Sequence, residues 1–296
     1  MCLTAQYLVR TVIRTMRTAD AAGGQARCAV VTGANTGIGL ACALQLAREG
    51  FETIATVRSA AKAAVVHAAA EEAGVAVGTE LLEVTDADAC AEMMDRRRPF
   101  ALVNNAGINT VAALEETTDA GLQEILAINT VAPMRLARLA VPHMRARGEG
   151  RVVNVSSAEG RIILPLLGAY QASKHALEAA TATLRLEVAR DGIAVCSVAP
   201  GSVDTAIYDK GFWVDGELHS GSAYSAGYGR LKSFMRLNRH TQISSDAVAR
   251  VIVGAILSPR PRPRYLVGAD AHVLAATHQL LPIALRERLH RRVFAL

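Results

Sequence analysis

A chain of 296 residues is long enough to bury about three-quarters of the surface it would expose when unfolded, so a single large α/β domain is within its reach. Hydrophobic residues make up 51% and charged ones 20%, with one Trp, which excludes a disordered chain and predicts a core built from Val, Ile, Leu and Ala. The net charge of +5 comes from dispersed basic residues with few aromatics among them, which leaves no stacking platform and argues against a nucleic-acid partner.

Residues 1–27 carry Arg10, Arg14 and Arg17 with no acid before Asp20, yet they lack serines and a secretory cleavage pattern. A peripheral extension is expected there, and Met16 would serve as an alternative initiator. From residue 28 onward, short β-like runs alternate with helical ones in the manner of a doubly wound parallel sheet. Residues 28–32 read as the first strand and 38–48 as the first helix. Residues 51–57 supply a second strand, 60–73 a helix and 80–84 a third strand. A helix over 86–96 and a strand over 100–104 follow, then a long helical region over 119–147 interrupted at Pro133. Residues 151–156, 169–190 and 193–199 read as strand, helix and strand, and right-handed crossovers would make all the strands parallel. After the Pro/Arg stretch Arg260 to Arg264 comes a last strand over 265–267.

Between the first strand and the first helix lies a glycine turn, TGANTGIG, from Thr32 to Gly39. Gly33, Gly37 and Gly39 permit a tight turn and close backbone approach, and the helix N-terminus beyond them favours the charge of a pyrophosphate. Three glycines alone are weak evidence; their place after an apolar strand and before an apolar helix promotes them.

Further along, Tyr170 and Lys174 stand four residues apart in a helical stretch, so a phenol and an ammonium share one helix face. An unperturbed phenol titrates near pH ~10, and a neighbouring ammonium favours its phenolate, which suits an acid/base tyrosine. Ser157 ends the apolar run that precedes this helix, where a buried strand delivers its last residues to a site and a hydroxyl can hold a carbonyl or alcohol oxygen. A Tyr-x-x-x-Lys spacing is by itself a frequent accident of two surface helix residues. Here the glycine turn, an NNAG at Asn104 to Gly107, Asn129, Ser157, the Tyr-Lys pair and a PGSVDT at Pro200 to Thr205 occur in a consistent order.

With these motifs the chain resembles the classical short-chain dehydrogenase/reductase superfamily, from about Cys28 to the stretch around Tyr265. The resemblance implies a single-domain Rossmann fold and a hydride-transfer enzyme with an Asn-Ser-Tyr-Lys tetrad, here Asn129, Ser157, Tyr170 and Lys174. It also implies that Lys174 binds the nicotinamide ribose and that Asn129 holds a water linking the lysine to solvent. The cofactor would lie against Gly33, Asn35, Thr36, Gly37, Ile38 and Gly39, and its adenosine half against Asn105, Ala106 and Gly107 at the end of the fourth strand. Pro200, Gly201, Val203 and Thr205 would complete the nicotinamide end, with Thr205 bonding the carboxamide. Asp86 has two readings, an adenine contact by family analogy or a helix N-cap. At the end of the second strand an NAD enzyme usually offers an acid to the ribose 2′-hydroxyl, whereas this chain has Arg58, whose guanidinium can pair with a 2′-phosphate. NADP(H) is therefore expected over NAD(H), although Thr36 stands where some NADP-preferring relatives carry a basic residue.

Residues 206–240 are by family analogy the substrate lid, and they hold Tyr208, Phe212, Trp213, Tyr224, Tyr228 and Phe234. These aromatics either welcome a bulky apolar substrate or pack the lid on the body. The segment ATVRSA, the helix around Tyr170 and the RPRYLVGADA stretch resemble most the branch of 17-beta-hydroxysteroid and retinol dehydrogenases. In the tail, 270–296, Arg286, Arg288, Arg291 and Arg292 interleave with Leu280, Leu281, Ile283, Leu285, Leu289 and Val293, which predicts an amphipathic basic helix. It is either a packing helix with a solvated face or a weak membrane-surface contact.

No run of eighteen apolar residues occurs, so no spanning helix is expected. Cys2, Cys28, Cys42, Cys90 and Cys196 show no C-x-x-C spacing and the eight histidines no H-E-x-x-H, so no metal or disulfide framework is expected and a reducing cytoplasm fits. His175 reads as a helix neighbour of Lys174. The expected activity is NADP(H)-dependent interconversion of a secondary alcohol and a ketone on a bulky apolar steroid-, retinoid- or polyketide-like substrate, by a homodimer or homotetramer. Two alternatives share the motifs: an NADP(H)-binding sensor or scaffold without turnover, and a reductase or epimerase of a secondary-metabolite pathway.

Overall fold

The computed structural model describes residues 26–204, 221–237 and 242–296. Seven strands form one parallel sheet: β1 (Cys28–Val31), β2 (Glu52–Val57), β3 (Gly78–Leu81), β4 (Ala101–Asn104), β5 (Gly150–Val155), β6 (Ile193–Pro200) and β7 (Arg264–Val267), in the spatial order β3-β2-β1-β4-β5-β6-β7. The chain builds outward from β1 to β3, returns to place β4 beside β1, then builds outward on the other side. This reversal opens a crevice beyond the C-terminal ends of β1 and β4, where ligands of doubly wound sheets bind.

Side chains alternate across the sheet with the strand period of two. Ala29 and Val31 of β1, Val103 of β4 and Val153 of β5 face the helices α1 (Gly37–Arg48), α2 (Ala60–Glu72) and α8 (Ser245–Leu257). Val30, Leu102 and Val152 face the opposite layer, which contains α3 (Ala87–Arg97) and α5 (Ala132–Arg147). Leu102 has no exposed surface and lies in a central strand, packed within the cluster that holds Met93, Leu136 and Met144. Leu102→Ala is expected to lower stability by about 2–5 kcal/mol, seen as a lower urea midpoint with an unchanged slope. A loss below about 1 kcal/mol would show that this layer collapses around the gap.

The predicted strands and helices all appear, most within one or two residues of their expected ends. The third strand is displaced: it spans Gly78–Leu81 rather than 80–84. It is an edge strand whose register, Ile54 opposite Gly78 to Val57 opposite Leu81, is set by β2. The apolar residues Leu82 and Val84 that drew the prediction downstream are buried just beyond it, in the α3 and α5 layer. The 119–147 region divides at a different place from Pro133. Helix α4 (Asp119–Leu126) passes into a π turn at Ala127–Val131 and then into α5, whose first turn accommodates Pro133. Gly148, at φ 78, closes α5 in the left-handed conformation.

Helix α6 (Gly168–Glu187) ends earlier than residue 190, the remainder turning as a short 3-10 segment. The tail forms two helices, α9 (Ala269–Leu280) and α10 (Ile283–Phe294), parted at Pro282. Helix α7 (Ser225–Leu237) lies within the expected lid, and buried Phe294 anchors α10 near it, with an edge-on contact to Phe234 at 6.3 Å. Among the described residues no helix is long and apolar enough to cross a membrane.

Candidate active site

The loops that follow β1 and β4 are latched together. The Thr32 hydroxyl accepts from the backbone N–H groups of Asn105 and Ala106, both at 3.0 Å. In return the Asn105 amide donates to the Thr32 and Gly33 carbonyls at 2.9 and 3.1 Å. So close is the approach that a Cβ on Gly33, already at φ +62, would stand 2.9 Å from the Ala106 Cα. A Cβ on Gly39 would stand 2.4 Å from the Asn105 amide nitrogen. Gly33 is therefore required by contact as well as by turn geometry, and Gly39 by contact.

Beyond the latch opens a cavity of about 670 Å³. Its nucleotide end is walled by Gly33, Asn35, Thr36, Gly37 and Ile38 at the N-terminus of α1, and by Ala106 and Gly107 across the switch point. The first turn of α1 carries no acidic side chain and Thr36 makes no side-chain cap, so the helix presents its partial positive end without competition. Asn105 also borders the cavity, although its side chain serves the latch. These surfaces fit a dinucleotide: a backbone wall of glycine-turn residues ending on an uncapped helix N-terminus.

Exposed Arg58 at the end of β2 and half-buried Lys62 of the first turn of α2 both border the cavity. Asp86 caps α3: its carboxylate accepts from the N–H groups of Asp88 and Ala89 at 3.0 Å. Gly39 acts behind the wall. Asn104, the first residue of the NNAG motif, is buried, and its amide donates to the Asn154 side chain at 2.8 Å and the Pro133 carbonyl at 3.2 Å. Asn154 in turn donates to Thr181 at 2.8 Å, so this chain of amides ties β4, β5, α5 and α6 together beneath the site. Pro200, Gly201 and Val203 reach the cavity from the end of β6, while Thr205 lies outside the described residues.

The chemical end gathers Ser157, Tyr170 and Lys174 on the same cavity. Tyr170 and Lys174 are 9% and 5% exposed, and the ammonium lies 5.8 Å from the centre of the phenol ring. Lys174 Nζ donates to the Val155 carbonyl at 3.0 Å. Burial lowers the Lys174 pKa from 10.5 to about 8, against the opposing pull of Glu178 and Glu159. Asn129 is fully buried inside the π turn rather than on the cavity wall. Its side chain accepts from the Ile108 N–H at 2.9 Å and donates to the Ile108 carbonyl and the Ser173 hydroxyl at 2.8 and 3.0 Å. A Cβ on Gly107 would meet both Asn129 Oδ1 at 3.2 Å and Lys174 Nζ at 3.7 Å, so the asparagine and lysine flank one glycine.

Three side chains of the site went unread in the sequence. Glu159 borders the cavity and pairs with the Ser157 hydroxyl. Asp270, at the start of α9, folds back to accept from the Ser202 N–H at 2.7 Å, against Gly201. Lys62 is the third, and its signal was present: it stands four residues after Arg58, on the first turn of a helix capped by Ser59. The aromatics of the expected lid divide between their two readings. Tyr208, Phe212 and Trp213 lie outside the described residues. Tyr228 is buried and bonded to Glu116 and the Ala113 N–H, a packing role, whereas Phe234 borders the cavity with Leu231 and Met235. Leu164, Val273 and Leu274 complete an apolar mouth.

Comparison with known proteins agrees with this geometry. The sequence profile of the short chain dehydrogenase family matches residues 27–212. A probable short-chain type dehydrogenase/reductase of Helicobacter pylori, VdlC, is 30% identical over 90% of this chain and 97% of its own. The crystal structure of a short-chain dehydrogenase from Streptomyces avermitilis superposes with a TM-score of 0.73 at 30% identity, covering 90% of this chain and 96% of that one. A metagenomic short-chain oxidoreductase in complex with NADP gives a TM-score of 0.65 at 26% identity, covering 81% of this chain and 96% of that one. With the family profile spanning more than half of its length and a relative of this identity matched nearly end to end, the chain belongs to the short-chain dehydrogenase family and is an oxidoreductase acting on CH–OH groups and the corresponding carbonyls.

Proposed function

We propose that the protein interconverts a secondary alcohol and a ketone with NADP(H), with Tyr170 as general acid/base. The observation that carries this reading is the meeting of Ser157, Tyr170 and Lys174 on one cavity that runs on to the glycine turn. With its pyrophosphate at that turn, NADP(H) would supply or accept the hydride. Ser157 holds the substrate oxygen. Tyr170 gives that oxygen a proton in reduction and takes it in oxidation. The Lys174 ammonium favours the phenolate and binds the nicotinamide ribose, and Asn129, flanking Lys174 across Gly107, supports the path by which the proton reaches solvent. Gly33 to Ile38, Ala106 and Gly107 hold the dinucleotide backbone, with Pro200, Gly201, Val203 and Thr205 at its nicotinamide end.

Support for NADP(H) over NAD(H) comes from two cations, Arg58 and Lys62, at the end of β2, where a 2′-phosphate would lie; a structural relative also holds NADP. The apolar mouth of Leu164, Leu231, Phe234, Met235, Val273 and Leu274 supports a bulky apolar substrate of steroid, retinoid or polyketide type. Within the expected lid, α7 contributes Leu231, Phe234 and Met235 to this mouth. Half-exposed Val131 and Met134 and exposed Leu186 support a homodimer or homotetramer formed through α4, α5 and α6. Exposed Leu285 and Leu289 beside Arg286 and Arg288 support a weak membrane-surface contact of α10. Cys28, Cys42, Cys90 and Cys196 are free thiols, in keeping with a reducing cytoplasm.

The test is a fluorescence titration with NADPH and NADH, followed by a panel of steroid, retinoid and aliphatic ketones. The wild type is expected to bind NADPH more tightly and to oxidise it when a ketone is present. Arg58→Ala is expected to weaken NADPH binding about tenfold or more with little change for NADH. Equal losses for both coenzymes would remove Arg58 as the phosphate reader, and tight NADPH binding without turnover would turn the reading toward a sensor.

A further inference from the structure

One helical turn beyond the apolar mouth lies a group of basic side chains that the reaction described above does not use. Helix α9 brings Asp270 and Leu274 to the cavity wall, and His278 stands one turn further along the same face. Arg161 follows the short 3-10 turn Ala158–Gly160. That turn packs on α6, where a Cβ on Gly160 would meet Glu178 and the Lys174 carbonyl, and α6 also carries His175. Helix α10 folds back on α9: Arg286 Nη1 donates to the His278 carbonyl at 2.6 Å, and His290 stands one turn after Arg286 on the same face.

His278 is the centre of the group. Burial, and after it the charges of Arg286, His175, His290 and Arg161, hold its pKa below the ordinary value. Its Nε2 is buried with no hydrogen-bond partner among the described residues. The half-buried Arg161 guanidinium has no hydrogen bond or ion pair there either. The acids on the same elements are engaged elsewhere or remote. Glu178 accepts from Arg264 at 2.7 Å, Glu159 pairs with Ser157, Asp270 accepts from the Ser202 N–H, and Glu287 pairs with Arg291 at 3.7 Å. Glu187 lies more than three turns beyond His175 on α6. Cations gathered at partial burial repel one another, so the arrangement costs stability until an anion neutralises it. Two guanidinium forks and three imidazoles offer N–H donors with no carboxylate competing for them, which is the chemistry that recognises an oxyanion.

We propose that Arg161, His175, His278, Arg286 and His290 form a second ligand site, which binds an oxyanion of the phosphate or sulfate type. Two sources carry that chemistry: a free anion, or an anionic group at the far end of a ligand whose apolar body fills the mouth, since Leu274 and His278 share one face of α9. The inference goes beyond the alcohol/ketone reading and does not depend on it.

The test uses the protein saturated with oxidised coenzyme, so that the glycine turn, Arg58 and Lys62 are occupied and an added ketone binds without being reduced. Inorganic phosphate is titrated calorimetrically at an ionic strength held constant with potassium chloride. Wild type is expected to bind phosphate, and Arg161→Gln and His278→Gln are each expected to weaken it about tenfold or more, the loss of one charge-assisted hydrogen bond. Arg161→Gln removes a side chain without an internal partner, so in phosphate-free buffer it is expected to melt no lower than wild type. A packing role alone would instead lower the melting temperature with and without phosphate and leave phosphate affinity unchanged. Binding of estrone and estrone 3-sulfate to the same complex then identifies the source. Sulfate ester bound about tenfold or more tightly than the parent ketone, with the preference lost in Arg161→Gln, assigns the anion to the far end of a ligand, and no such preference assigns it to a free anion. Absence of phosphate binding above the chloride background, or an affinity unchanged in both variants, overturns the proposal and leaves the oxidoreductase reading as it was.

Discussion

Turnover reduced by about 10²–10⁴-fold with NADPH binding retained is the expected result of Tyr170→Phe. The ring packs with Ile125 and Ala169, and phenylalanine keeps those contacts, so fold and cavity shape should survive. What disappears is the phenol proton. On the proposed function, the substrate oxygen then loses its acid in reduction and its base in oxidation, while Ser157 and the coenzyme site remain in place. The measurement is kcat on the best ketone of the panel beside an NADPH fluorescence titration of the same preparation. Residual turnover within a few-fold of wild type would remove Tyr170 from the chemistry. Equal loss of coenzyme binding would show a structural role instead.

Lys174→Met separates function from stability in the opposite direction. Loss of turnover by at least about 10²-fold is expected, because the ammonium proposed to favour the phenolate and to grip the ribose is gone. Stability, by contrast, is expected to rise near neutral pH. The Lys174 pKa in the folded protein is about 8, below its ordinary 10.5, so between these values the unfolded chain binds more protons than the folded one. Stability of the parent therefore climbs as pH rises through that window, and below about pH 8 the folded state carries the whole cost of burying the charge. Methionine removes that cost, for a gain of at most about 3 kcal/mol at pH 7 that shrinks toward pH ~10. Urea melts of the coenzyme-free protein across this range check the sign. A lower midpoint at pH 7 would mean that the bond to Val155 and the attraction of Glu178 outweigh the burial.

Short apolar runs made the sheet legible, because the central strands bury both faces: Ala29, Val30 and Val31, like Ala101, Leu102 and Val103, are all buried. The same signal misplaced β3 because an edge strand follows its neighbour's register, and its own residues, exposed at both ends, carry no apolar signal. The π turn at Ala127–Val131 leaves no residue pattern distinct from an α-helix, so the break was assigned to the nearby proline. Motif spacing was enough to place Ser157, Tyr170 and Lys174, because they lie on two successive elements whose geometry is regular. Asn104 opens the NNAG motif, yet its partner Asn154 stands 50 residues away in sequence, and the Thr181 to which Asn154 donates a further 27, so this network emerges only once β4, β5 and α6 pack. Asp270 was hidden for the same reason: it reaches Ser202 from 68 residues downstream. Glu159 stood in plain view two residues after Ser157, but only the turn that aims its carboxyl at the hydroxyl gives it meaning.

The cavity has two authors. Its chemical floor comes from the ends of β1, β4, β5 and β6 and from α6, elements held in register by the sheet, whereas its mouth, apart from Leu164, is assembled from α7 and α9, which attach to the rim. A change in the mouth can therefore alter which molecules enter while the proton and hydride geometry stays fixed. In such an enzyme new substrates can be acquired gradually, by drift in two peripheral helices, with the reaction preserved at every step.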